Sequence, residues 1–194
     1  MPRVLAEMGM ELPLTVAILL AAALGAWIAI AFNRLVRNRN LIREGRSGID
    51  VQLRRRHDLI PNLVEAVRGY SRHEQTTFEQ IAAQRSAAAG ASGVREAQDR
   101  ENALTGQIRQ LFALAEAYPD LKANTTYLDL QGRLAQIEDQ IQMARRYYNG
   151  AVRDFNISVE SFPSNLVARL FRFQQADFFQ IETATERAAP KVEV

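Results

Sequence analysis

The residues best suited to chemistry in this chain are two histidines, His57 and His73, a run of three arginines, Arg54-Arg55-Arg56, and scattered carboxylates. An imidazole near neutral pH is a proton shuttle or a metal ligand, so the first question is whether the two histidines can meet. On one continuous helix, at about 100° per residue, they point roughly 160° apart. A di-metal centre inside a helical bundle wants Glu-x-x-His steps on two helices. Arg54 and Tyr70 stand three residues before the histidines instead. No catalytic residue and no metal ligand is assigned on this basis. Cysteine is absent, which removes disulfides, thiolate nucleophiles and cysteine-ligated zinc. Neither a glycine-rich phosphate loop nor a nucleophile elbow occurs. No cofactor is expected, and the chain does not read as an enzyme.

Two readings of Arg54, Arg55 and Arg56 stay open. They form a solvated helix face whose stems cover apolar surface, or an interaction or lipid-headgroup patch. Nucleic acid is not an expected partner, because there is no helix-turn-helix spacing, zinc motif or aromatic-interleaved strand. Asp58, Glu65, Glu116, Asp120 and Glu138 could serve acid–base chemistry. In a helical chain such carboxylates more often cap helices or pair with arginine, and they are read that way here. Tyr147-Tyr148-Asn149 and Phe155-Asn156 read as packing residues with satisfied polar groups.

The elements that must position these groups begin with an anchor. Leu12 to Phe32 is an uncharged apolar run, LPLTVAILLAAALGAWIAIAF. About 20 such residues cross a hydrocarbon layer at 1.5 Å per residue. Pro13 falls in the first turn, where its missing donor costs little, and Trp27 lies toward the interface. Ala29-Ile30-Ala31 looks like a signal-peptidase step, but the run is too long and Glu7 and Glu11 precede it, so an uncleaved span is expected. Arg34, Arg37, Arg39, Arg43 and Arg46 follow the run closely, whereas the leader holds only Arg3. The positive-inside rule then places the N-terminus outside and the following domain in the cytoplasm, as a single-pass protein of the cell (inner) membrane. The same five arginines are assigned to lipid headgroups. The expected organisation is a leader over 1–11, a transmembrane helix over 12–32, a basic juxtamembrane segment over 33–48, a helical bundle over 49–181 and a tail over 182–194.

Beyond the anchor the periodicity is helical throughout. One stripe runs Ile49, Leu53, Ile60, Leu63, Val67, Tyr70, Phe78, Ile81, with His57 and Glu74 as interruptions. Pro61 is expected to kink this helix without ending it, and Ala87–Gly93 reads as the loop after it. A second stripe runs Val94, Ala97, Glu101, Leu104, Ile108, Leu111, Ala115, Tyr118, in which only Glu101 is polar, and Pro119 stops it. Asp120 is the expected N-cap of a third helix ending before Pro163. The fold class is all-α: an N-terminal transmembrane helix, then an antiparallel bundle of three long helices and one short C-terminal one. The first helix, taken as continuous to Ala89, would reach roughly 85 Å. Its partners are too short to cover it, so Leu35, Leu41, Ile42 and Ile49 form an expected exposed flank for a second copy. For Ser164–Ile181 three roles stay open: capping the bundle end, binding another subunit, or lying on the membrane surface.

Ile49–Glu74 (IDVQLRRRHDLIPNLVEAVRGYSRHE) resembles the signature of the LemA family of bacterial membrane proteins. Leu114–Lys122 (LAEAYPDLK), Leu130-Gln131, Glu138, Ala144–Asn149 (ARRYYN), Val152–Asn156 (VRDFN) and Phe162–Leu166 (FPSNL) agree in order. On this resemblance Asp50, Asp58, Pro61, Asn62, Tyr70, His73, Glu74, Pro119, Asp120, Tyr148, Asn149, Asn156, Phe162 and Pro163 are family-motif or structural positions. The resemblance implies a helical bundle behind a short extracytoplasmic N-terminus and no established activity. Family members usually carry tryptophan where this chain has Arg46. With Gly45 and Gly48 beside it, that departure is expected to loosen the joint after the anchor. Some relatives look like lipoproteins, which a cysteine-free chain cannot be. The reading is a membrane-anchored, self-associating helical scaffold or interaction module. The alternative is an accessory or regulatory subunit of a membrane enzyme such as a protease. The expected partners are the lipid bilayer, further copies of the chain and another membrane protein.

Overall fold

The computed structural model describes residues 2–71 and 74–179, with side chains from Leu14 onward. His73 and the tail from residue 180 lie outside the described residues. The described residues are all-α: α1 (Pro2–Arg68), α2 (Gln75–Ala89), α3 (Val94–Ala115), α4 (Pro119–Lys122), α5 (Thr125–Glu160) and α6 (Ser164–Leu170). Contacts divide the chain into two compact units. Unit 1 is Met1–Arg43 with Ala151–Ala176, and unit 2 is Glu44–Gly150 with Asp177–Val194.

In unit 2 the long first helix ends earlier than expected. α1 runs through Pro61 without a break, stops at Arg68, and closes its last turn through the Gly69 amide on the Glu65 carbonyl at 3.2 Å. The stripe Val67, Phe78, Ile81 therefore spans two helices, and Tyr70 falls in the turn between them, exposed. The threes-and-fours spacing persists across the turn because α1 and α2 face one core. That core contains Ile60, Leu63, Val67, Phe78, Ile81, Leu104, Ile108, Leu111, Leu121 and Leu134. Gly93, at φ 89°, turns the chain into α3, and the Glu96 carboxylate accepts from the Ser92 amide at 3.1 Å. This reach-back satisfies a donor that a bare helix start would leave open. Asp120 is not the cap of the third long helix; it sits inside the single turn of α4. The cap of α5 is Asn124, whose Oδ1 accepts from the amides of Thr126 (2.9 Å) and Tyr127 (3.1 Å).

Gly45 faces Tyr148, and Arg56 reaches Glu138. Advancing eleven residues along α1 thus means retreating ten along α5, so the two run antiparallel. Gly45 does not loosen a joint. It is buried inside α1, and a Cβ there would lie 3.0 Å from the Tyr148 Cα. Close approach of two helix backbones is what glycine permits here. Gly45→Val is expected to force the helices apart at a cost of about 1–3 kcal/mol, read as a lower thermal midpoint. Gly48→Ala, with open space around it, should lose nothing.

Unit 1 has its own core. Ala31 and Leu35 of α1 pack on Phe155, Val167 and Ala168. Phe32 meets Phe171 (4.7 Å between centroids) and Phe173 (5.9 Å), and the Arg39 guanidinium lies 5.1 Å over the Phe173 ring. The Asn38 amide donates to Ser158 Oγ at 3.1 Å. Asn156 holds the chain after α6 by two bonds to Ala176, donating to its carbonyl (3.0 Å) and accepting from its amide (2.9 Å). Leu35 is 0 % exposed here, Ile49 is 2 % exposed in unit 2, and Leu41 and Ile42 are half-buried. The expected bare flank is therefore covered by the chain itself. What remains open is the helix ahead of it: the side chains from Leu14 to Ala26 are all exposed. Leu14–Arg68 is the helix among the described residues long and apolar enough to cross a membrane.

Candidate functional site

The centre of unit 2 is polar, and it uses the one acidic residue in the α3 stripe. Arg56 and Glu101 are each 1 % exposed and form an ion pair. That ion pair uses Arg56 Nη2, and Nη1 donates to Glu138 Oε1 at 2.8 Å and to Thr105 Oγ1 at 3.1 Å. His57 Nε2 lies 2.8 Å from Glu101 Oε1, and the Arg85 guanidinium donates to the His57 carbonyl at 3.4 Å. Each Glu101 oxygen thus has its own partner, as a buried carboxylate requires. Burial pushes the Glu101 carboxyl upward, but the His57 hydrogen bond and the Arg56 charge outweigh it and hold the group below its ordinary value.

This corrects the reading of the arginine run. Arg54 and Arg55 are exposed, whereas Arg56 points into the core. The run spans one helical turn, so three consecutive residues cannot share a face. Beside the network lies an open cleft of about 270 Å³, with Arg46, Asp50, Arg54, His57 and Glu101 among its walls. Arg46 is half-buried at this wall rather than free for headgroups. Arg34, Arg37 and Arg43 are exposed in unit 1, as is Arg39 on its ring partner.

The motif residues fall into three groups. Asp58, Pro61 and Asn62 lie on the exposed side of α1. Tyr70 accepts at its hydroxyl from Asn124 at 3.0 Å, Glu74 precedes α2, and Pro119 opens α4. Tyr148 and Asn149 hold the segment leading to Phe179. The Tyr148 hydroxyl donates to the Asp177 carbonyl at 2.9 Å, and Asn149 bonds both the carbonyl (2.8 Å) and the amide (2.9 Å) of Phe179. Burial raises the Tyr148 hydroxyl pKa, so it stays a donor. Phe162 and Pro163 sit at the turn between α5 and α6, both exposed. Glu101 and Thr105 were not among the expected site residues; the only hint was a lone acid in an otherwise apolar stripe. Among the described residues no group of three histidine or carboxylate side chains is placed to hold a metal ion.

The pH dependence follows from the sign of the Glu101 shift. A carboxyl held low in the folded state and normal in the unfolded one stabilises fully above the ordinary glutamate range. That contribution is lost as pH falls through the lowered value. Denaturant midpoints of the wild type should therefore drop on acidification below about pH 4, and more steeply than those of Glu101→Gln, which has no such group to protonate.

The description "LemA family" matches this chain over residues 45–194. The chain is 28 % identical to Protein LemA of Metamycoplasma hominis, over 76 % of this chain and 68 % of the relative. It is 22 % identical to the magnetosome protein MamQ 2 of Paramagnetospirillum magneticum and to the magnetosome protein MamQ of Magnetospirillum gryphiswaldense, each over 94 % of this chain and 77 % of the relative. The family match takes in the buried network, the Tyr148-Asn149 clamp and the Asn156 clamp. Together with the apolar helix ahead of it, this makes a membrane-associated helical protein, and the chain belongs to the LemA family.

Proposed function

We propose that the chain is a membrane-tethered scaffold whose helical domain lies in the cytoplasm and gathers further copies of itself. One observation carries the reading. The buried charges at the centre are paired within the fold, Glu101 with Arg56 and His57, while the outward side of α5 keeps large apolar side chains exposed: Leu128, Met143 and Tyr147. These three fall within about 100° of one another around the helix. They replace the anchor-proximal flank as the candidate contact between copies. Orientation rests on Arg34, Arg37, Arg39 and Arg43 following the span, which favours retention of that side. Leu128→Glu with Met143→Glu should reduce the particle mass of the detergent-extracted chain, measured by light scattering, with helicity kept. A wild-type monomer would favour the accessory-subunit reading, and an unchanged mass in the variant would move the contact elsewhere.

A further inference from the structure

Unit 1 turns an apolar corner outward. Phe162, at the turn after α5, is 80 % exposed, and Leu170, at the end of α6, is 70 % exposed. Leu166 lies midway between them and is also exposed. Leu166 and Leu170 are four residues apart and share one face of α6; with the exposed Phe162 in the turn just before that helix they make up an apolar ridge. Water is a poor environment for such a ridge, and its neighbours indicate another. Phe171 packs on Phe32, and an open cleft of about 310 Å³ has Phe162 and Pro163 in its wall together with Trp27 and Ile30. Trp27, Ile30 and Phe32 belong to the uncharged run of the anchor. Side chains that share their surroundings stand at the depth of the last two turns of the span.

The charges around the corner fit the same occupant. Arg169 flanks the ridge, and Arg34 and Arg37 are exposed on α1 in the same unit. Arg172 closes α6 at φ 57°. Its amide bonds the Arg169 carbonyl at 3.2 Å, and the Phe173 amide bonds the Ala168 carbonyl at 2.9 Å. That is a helix ending at which glycine is the usual occupant. An arginine there accepts a backbone cost that glycine avoids, and supplies a cation that glycine lacks.

On the reading of α1 as an anchor, we infer that the α5–α6 corner is a second membrane contact. Phe162, Leu166 and Leu170 seat in the boundary between headgroups and acyl chains, and Arg169 and Arg172 meet the lipid phosphates. An apolar ridge flanked by arginine is the pattern of interfacial membrane segments, and arginine stems reach from apolar surroundings to the headgroups. The bilayer is chosen over a second copy because the ridge continues the lipid-facing surface of the anchor, and because phosphates complement its arginines.

The chain has no cysteine, so single cysteines can report on it. The full chain carrying Leu166→Cys, Leu20→Cys or Arg133→Cys is labelled with a polarity-sensitive fluorophore. Each is reconstituted in phosphatidylcholine vesicles, with or without phosphatidylglycerol, containing doxyl-lipid quencher. The label at 166 should be quenched as the one at 20 is, and the label at 133 should not. Adding Arg172→Gly, which suits the left-handed backbone, should lower quenching at 166 in phosphatidylglycerol vesicles and not in neutral ones. Quenching at 20 without quenching at 166 would overturn the inference and leave the anchor standing. Quenching at neither would overturn the anchor reading and the inference with it. A label at 166 shielded only at high protein-to-lipid ratio would show a second copy on the ridge instead. No effect of Arg172→Gly would overturn the headgroup assignment.

Discussion

Arg56→Ala should destabilise the helical domain by about 3–5 kcal/mol, the usual cost of breaking a buried ion pair from one side. Arg54→Ala, two residues away, should change it by no more than about 0.5 kcal/mol. The contrast follows from burial alone. Arg56 satisfies Glu101, Glu138 and Thr105, and its loss leaves the Glu101 carboxylate buried against His57 without its cation. Arg54 is exposed. At roughly 2–4 °C per kcal/mol for a chain of this size, thermal unfolding followed by circular dichroism separates the two variants easily. A second substitution distinguishes a lost partner from a lost packing volume. Arg56→Met with Glu101→Leu removes both charges, and should recover much of the stability that Arg56→Ala loses. Equal midpoints for Arg54→Ala and Arg56→Ala would mean that the buried pair contributes nothing.

The second large effect concerns the anchor. Leu20 and Leu24 lie in the apolar run, both open to whatever surrounds the helix. An arginine near the centre of a span costs about 2.5–3.5 kcal/mol on the insertion scale, so Leu20→Arg with Leu24→Arg should cancel most of the drive to insert. The wild type should stay with membranes through an alkaline wash. The doubly substituted chain should be recovered in the supernatant or as aggregate. Leu128→Arg adds the same kind of charge on α5 and should leave the wild-type distribution unchanged. Retention of the double variant in washed membranes would contradict an anchor formed by this run.

The helices themselves were legible because their apolar stripes are long and regular. A long apolar helix near the N-terminus, the α3 stripe and the arrest before Pro163 all follow from composition, period and proline placement. The break after Arg68 was not legible. Val67 and Phe78 keep a helical spacing across a turn, since both helices serve one core, and spacing records facing rather than continuity. The α5 cap was misplaced for a related reason. Pro119-Asp120 is a good helix start, and it does start one, but only a single turn before Asn124 begins the long helix. The buried network was half visible. His57 interrupts the α1 stripe and Glu101 interrupts the α3 stripe, and the two interruptions are partners. Sequence spacing could mark each as unusual but could not pair them, because 44 residues separate them and only the packing of α1 on α3 sets their register. The asparagine clamps were hidden more completely, since their partners are backbone groups that carry no side-chain signal.

The most direct test of a domain held on the cytoplasmic side by one span is labelling with a membrane-impermeant maleimide in intact and permeabilised cells. Arg3→Cys reports on the leader, and Arg133→Cys on the exposed face of α5. Arg3→Cys should label in intact cells, and Arg133→Cys only after permeabilisation. Labelling of Arg133→Cys in intact cells would contradict the orientation, and labelling of both sites from one side would contradict a single span.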